Sequence, residues 1–526
     1  MVGTQPGVEN PLAGAQAALA RAEWETAREL FRREAETSDA AEAWEGLSRA
    51  AWWLGDEDTT LAARERAYRR YQTDGDLRRA AHMATWLAGD HLDFHGDDAV
   101  GRAWLRRARS LLDGHDLCAQ HGWVLIMEAD VVLNAEGDPR LTERLAREGL
   151  TVARRVGDVD VEVVALALLG TALITAGEVD EGVRCVEEST ALAVGGEFID
   201  AAAPGWALCH NVVVCADLGD FTQAEQWCRA MRQFASTWRA RHFFGSCRLA
   251  YGDVLATHGD WVSAEEELVS AREDLRSTKP GLAAPSAVRL GELRVRQGRL
   301  DEARSLFEEA LPSPAAMLAL AGLDLRGGDA EAATATAERV LRRLSDDNLL
   351  ERLPALELVA RARSAAGDHP GAWSTARELE QESGRLGTPY LRGRGLAVRA
   401  EVALAAGDLF SAASAPFEQA GARLTLAQAL RGLGRAERAD TEERAAQESL
   451  SLLGARPDAV VTPEGLSSRE RDILRLVADG QSDARIAERL FLSPHTVHRH
   501  VANIRTKLGV PSRAAAVADA TRRGLL

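Results

Sequence analysis

Lysine is nearly missing from this chain. Of 63 basic residues only Lys279 and Lys507 are lysine; the rest are arginine. A phosphate-cradling GxxxxGK[ST] loop needs a lysine that reaches the nucleotide. Neither RSTKPG nor IRTKLG gives that context. Protein-kinase and Schiff-base chemistry also depend on a placed lysine, so none of these three activities is expected. Cysteine is sparse too: the six stand at 118, 185, 209, 215, 228 and 247, none in CxxC spacing. That excludes a disulfide framework and favours a reducing, cytoplasmic setting. No run of about 18 uncharged apolar residues occurs, as a membrane-spanning helix would need. The opening MVGTQPGVENPLAG has neither the basic nor the apolar stretch of a secretory leader.

What is present is a foldable composition. The 526 residues are 46% apolar and 27% charged, with a net charge of −17. That length exceeds what one compact core usually holds, so two folding units or a repeat array is expected. The charge is unevenly spread. Residues 464–526 carry 11 Arg/Lys against 7 Asp/Glu, whereas residues 1–463 are strongly acidic. An acidic body with a small basic piece fits a nucleic-acid reader joined to a larger sensing or assembly part.

The acidic part repeats. Glycines at 55, 96, 137, 177, 219, 259, 298, 328, 367, 407 and 434 mark steps mostly of 39 to 42 residues, with two shorter ones of 30 and 27. Each is usually followed by Asp or Glu, and five residues on by a small residue such as Gly101, Gly182, Ala224, Ala264, Ala303, Ala333, Ala372, Ala412 or Ala439. The glycine suits the left-handed cap that ends one helix. The acid suits the N-terminus of the next. The small residue lets the two helices approach closely. AEWETARELF repeats the spacing, with Trp24 and Ala27 matching Trp261 and Ala264. Apolar positions between the glycines keep helical spacing, as Leu300, Ala303, Leu306, Phe307 and Ala310 do. The pattern predicts an all-α fold: helical hairpins over residues 13–453, after a tail of residues 1–12, stacked as a right-handed superhelical solenoid. It resembles tetratricopeptide-like repeats, and more nearly the superhelical repeats of MalT-like regulators.

The breaker-rich stretch GARPDAVVTPEG (454–465) reads as a linker. Residues 466–526 then read as a four-helix domain. Ser467-x-x-Glu470 is a capping box opening a helix that runs to Gly480. Ser482 caps a second helix ending near Leu490; Ser493 and Pro494 open a third that ends at Leu508 and Gly509; Ser512 starts a fourth. The second and third form a helix-turn-helix. On the third, Val497, Val501, Ile504 and Leu508 make one stripe, to be buried against Ile486, Ala487 and Leu490. At about 100° per residue the opposite face carries His495, Arg499, Ala502, Asn503 and Thr506. His498 and Arg505 flank it on one side, His500 and Lys507 on the other. Arg suits guanine and Asn adenine in the major groove, and the flanking cations and hydroxyls suit phosphates.

This domain resembles the C-terminal DNA-binding domain of the LuxR family of bacterial transcription regulators. The likeness rests on Leu466, Arg469, Glu470, Leu474, Gly480, Ile486, Ala487, Leu490, Ser493, Thr496, Val497, His500, Ile504, Lys507, Leu508, Gly509 and Arg513. It covers about 60 residues. The resemblance implies that Thr496 bears on the DNA backbone and that His498, Arg499, Ala502 and Asn503 face the groove. The family often has lysine where His498 stands, so this contact is weaker and pH-dependent. Ala502 removes a polar contact. The family's dimeric mode makes helix 4, with Ala515, Val517 and Ala518, the pairing surface. The implied partners are double-stranded DNA, a second copy of the chain and RNA polymerase, with a protein or small-molecule signal on the repeats. No cofactor, metal, membrane partner or enzymatic activity is expected. MalT-like regulators have a nucleotide-binding switch domain ahead of their repeats. This chain begins in repeats without a P-loop, so ATP gating is not expected. The rival reading is a scaffold of repeats whose helix-turn-helix serves only oligomerisation.

Three weaker signals remain. His91 and His95 stand at i, i+4 among acids, a spacing that can share a metal but is ordinary in an Asp-rich turn. Cys209 and Cys215, with Cys228 and Cys247 nearby, read as small core residues, or else as a redox pair or a thiol sensor. All twelve tryptophans fall between 24 and 373 and read as helix-packing residues, or as the lining of a groove.

Overall fold

The computed structural model describes residues 11–196, 198–239, 244–409, 435–452, 468–478 and scattered positions between 423 and 517. It divides into two units, residues 1–398 and 399–526. The described elements of the first unit are all helical. They are α1 (Pro11–Ala20), α2 (Trp24–Ser38), α3 (Ala41–Leu54), α4 (Glu57–Asp74), α5 (Leu77–His95), α6 (Asp98–Leu112), α7 (Ala119–Val131), α8 (Pro139–Val156), α9 (Val159–Thr175), α10 (Val179–Gly195) and α11 (Ala202–Asp217). There follow α12 (Phe221–Trp238), α13 (Phe244–His258), α14 (Trp261–Thr278), α15 (Ala283–Arg296), α16 (Leu300–Glu309), α17 (Pro314–Arg326), α18 (Ala330–Leu341), α19 (Leu349–Ala365) and α20 (His369–Leu386); α21 (Pro389–Leu409) runs across the boundary at residue 398.

From α1 to α20 each helix packs on the next, and from α5 to α19 each odd-numbered helix also packs on the next odd-numbered one. The odd helices thus form an inner layer and the even ones an outer layer, the arrangement of a helical-hairpin solenoid. Composition follows position. Inner α9 is apolar on all sides and buries Val163, Val164, Leu166, Leu168 and Leu173. Outer α8 has one apolar face; its other face holds Arg147 and Arg154, paired at 2.8 Å with Glu181 and Glu188 of the next outer helix.

The repeat punctuation works as the pattern predicts. Gly55, Gly96, Gly137, Gly177, Gly219, Gly259, Gly298, Gly328 and Gly367 all have positive φ. The next residue caps the outer helix when it is Asp: Asp56, Asp97, Asp138, Asp220, Asp260, Asp329 and Asp368 each accept a backbone N–H three residues on. Glu178, one methylene longer, makes no such bond. Ala224, Ala264, Ala303, Ala333 and Ala372 are fully buried. Gly407 departs from the pattern: it lies inside α21 rather than ending a helix. Gly434, Ala412 and the 454–465 stretch fall outside the described residues.

Contacts between distant repeats give the first unit its curvature. Trp24 Nε1 donates to the Trp238 carbonyl at 2.8 Å, Lys279 Nζ meets Asp93 Oδ2 at 2.6 Å, and Asn348 Nδ2 donates to the Gly137 carbonyl at 3.0 Å. These partners are 214, 186 and 211 residues apart. The solenoid therefore returns upon itself after about five repeats of the sequence period. The tryptophans serve this packing. Trp24 stacks on Trp53 with centroids 4.8 Å apart, and Trp52 meets Trp53 and Trp86 edge-on at 5.2 and 6.1 Å.

Candidate nucleic-acid interface

In the second unit, the helix Ser468–Ala478 begins one residue after Ser467, where the capping box predicts it. Gln481 N–H donates to the Leu476 carbonyl at 3.1 Å. That six-to-one bond is how glycine-terminated helices close. The inward face of this helix presents Ile473, Leu474, Leu476 and Val477 to Ile486, Val497 and Ile504. Ile473, Ile486 and Val497 are 0% exposed and Ile504 1%. Val501 packs half-buried on the same cluster. Val497, Val501 and Ile504 are thus the buried stripe that helical spacing predicts. Burying a Val or Ile side chain contributes about 1.5–3 kcal/mol. Three on one stripe hold the helix in a single rotational setting.

The residues read as DNA-facing, Thr496, His498, Arg499, Ala502, Asn503, Arg505 and Lys507, lie outside the described residues, as do Ala487, Leu490, Leu508, Ala515 and Ala518. Val517, read as part of a pairing surface, packs half-buried on this domain's own core. Two features escape the sequence reading. Arg513 Nη2 donates to the Gln481 carbonyl at 2.7 Å, tying the fourth-helix region to the end of the first. No spacing rule announces that bond, although Arg513 is among the residues carrying the family resemblance. Arg475, Arg485 and Arg489 are exposed.

The remaining candidates resolve differently. The His91 and His95 rings lie 5.6 Å apart, and His95 Nε2 faces Glu57 at 3.4 Å. Burial, and then the neighbouring His95, lower the His91 pKa. Among the described residues no group of three side chains is placed to hold a metal ion. No described helix is long and apolar enough to cross a membrane.

Residues 464–520 match the family described as bacterial regulatory proteins, luxR family. An HTH-type transcriptional regulator of Mycobacterium tuberculosis is 51% identical over 59 residues, 11% of this chain and 7% of that protein. The transcriptional regulatory protein NarL of the same species is 52% identical over 61 residues, 12% of this chain and 28% of that protein. The chain therefore spans only a small part of the length of these relatives. Among solved structures, a Rap protein complexed with competence and sporulation factor aligns with 72% of this chain and 97% of its own, at 12% identity and a TM-score of 0.44. The chain thus joins a solenoid of helical hairpins to a LuxR-type helix-turn-helix domain, which residues 464–520 form.

Proposed function

We propose that this protein is a bacterial transcription regulator. In this reading residues 466–526 bind the major groove of double-stranded DNA, residues 454–465 form a linker, and the repeats of residues 13–453 respond to a signal or partner. The observation that carries it is the burial of Val497, Val501 and Ile504 against Ile473, Leu474 and Ile486. With that stripe turned inward, helical periodicity assigns Arg499, Ala502 and Asn503 to the opposite side. Arg499 grips guanine and Asn503 adenine, while Thr496, His498, Arg505 and Lys507 serve the backbone and flanks. Exposed Arg475, Arg485 and Arg489 add positive charge for phosphates. Two domains on two half-sites give one tighter contact by avidity, and the bound dimer engages RNA polymerase. The acidic repeats stay off the DNA and work in the cytoplasm without cofactor or catalysis.

Selection from a random duplex library tests this reading. The full-length chain should enrich one motif, and its two-fold symmetry should report the dimer. A chain that enriches no motif at low salt would favour the repeat scaffold instead.

A further inference from the structure

Three inner and outer helices in succession bring three thiols to one place. Cys209 stands on α11, Cys228 on α12 and Cys247 on α13. The Sγ atoms of Cys209 and Cys247, 38 residues apart in sequence, lie 2.8 Å from each other. Neither is in a disulfide. Cys247 and Cys228 are buried and Cys209 is half-buried. α11 and α13 are neighbours in the inner layer and pack directly on each other, so the sulfur contact spans the step between two repeats. Beside it lies a cavity of about 210 Å³, lined by Cys228, Met231 and Cys247 with Arg232, Arg248 and Tyr251. A water molecule takes about 30 Å³ of liquid volume, so a cavity of this size admits a small oxidant.

We propose that Cys209 and Cys247 are an oxidative modification site, closed to a disulfide by a hydroperoxide or another small two-electron thiol oxidant that enters this cavity. The chemistry balances with hydrogen peroxide. One thiol gives up its proton as its sulfur attacks an oxygen; the S–O bond forms as the O–O bond breaks, and the departing hydroxide takes a proton, giving a sulfenic acid and one water. The second sulfur attacks the first; the S–S bond forms as the S–O bond breaks, and the sulfenic hydroxyl leaves with the second thiol's proton as a second water. Two thiols lose two electrons and two protons, and one peroxide becomes two waters. The sulfurs need close by only about 0.8 Å to reach disulfide length. Contact with Cys209, and then burial, hold the Cys247 thiol well above its ordinary range, and burial pushes Cys228 up to about 12. The Cys247 sulfur therefore rests as a thiol. The bond would fasten α11 to α13 and fix the inner-layer step at this repeat, independently of any DNA contact.

The test uses the full-length chain. It is exposed to hydrogen peroxide or diamide, unfolded in an alkylating agent, digested and analysed by mass spectrometry. The expected result is loss of two of the six alkylatable thiols. The Cys209 and Cys247 peptides should appear as one linked species, lighter than their sum by two hydrogens and separated by a reductant. Cys209→Ser should abolish that species and leave Cys247 alkylatable. Linkage of either residue to Cys228 or Cys215 would overturn the assignment. So would a bond between isotopically distinguishable copies, or full alkylation of Cys209 and Cys247 after oxidation.

Discussion

A missing methyl group sets how closely α9 and α10 lie. A Cβ on Gly182 would stand 2.6 Å from Ile174 Cγ1 and 2.7 Å from the Gly170 carbonyl oxygen. Backbone cannot yield cheaply, so Gly182→Ala should destabilise the first unit by about 1–3 kcal/mol. Gly322, within α17, meets nothing within 4 Å; there alanine should stabilise by about 0.5–1 kcal/mol through helix propensity. Denaturant unfolding followed by tryptophan fluorescence checks both, because all twelve tryptophans lie between 24 and 373 and report this unit alone. Asp160 gives a pH test. It is 5% exposed and accepts N–H bonds from Ile199 and Asp200 at 2.8 and 2.9 Å. Burial outweighs those bonds and raises its pKa to about 6. The folded state therefore holds this proton in a window where the unfolded chain has lost it. The stability it gives is complete below the unfolded pKa and is lost as pH rises through 6. The advantage of the wild type over Asp160→Asn should shrink by roughly 2 kcal/mol between pH 4 and pH 7. A constant difference across that range would contradict the shift.

At the scale of the element, the outer helices differ in how they start. Asp138 Oδ1 accepts from Leu141 N–H at 3.0 Å, whereas Glu178 at the equivalent turn makes no side-chain cap. Asp138→Ala should therefore cost about 1 kcal/mol, and Glu178→Ala only a few tenths, in the same unfolding assay. Equal costs would show that the dipole, rather than the hydrogen bond, dominates. These elements were legible in the sequence because glycine, Asp and a small residue recur at fixed offsets, each with a local physical reason. Where another local preference competes, the glycine rule gives way. Gly407 sits in α21, whose flanking residues continue the helix through it. Gly170, the partner surface for Gly182, carries no positional signal because its role depends on a neighbouring helix.

At the scale of the molecule, periodicity revealed repeats but not how they close. The ties of Lys279 to Asp93, Asn348 to Gly137 and Trp24 to Trp238 join residues from 186 to 214 positions apart. No window of sequence contains both partners. The same limit hid the meeting of Cys209 with Cys247, since the closer pair in sequence is Cys209 and Cys215. In the helix-turn-helix domain the core was legible: the stripe of Val497, Val501 and Ile504 faces inward as a period of 3.6 requires. The bond from Arg513 to the Gln481 carbonyl was not, because a guanidinium can reach many carbonyls and only the folded chain selects one.

In the proposed function the face of the third helix opposite that stripe reads DNA. The most direct measurement is fluorescence anisotropy of the full-length chain on the duplex motif recovered by selection, compared with Arg499→Ala across a salt series. Affinity should fall steeply as salt rises, with log K linear in log salt concentration. Arg499→Ala should cost about 1–3 kcal/mol of binding and relax preference at one base pair. Equal affinity of wild type and variant for the motif, at every salt concentration, would contradict the proposed function.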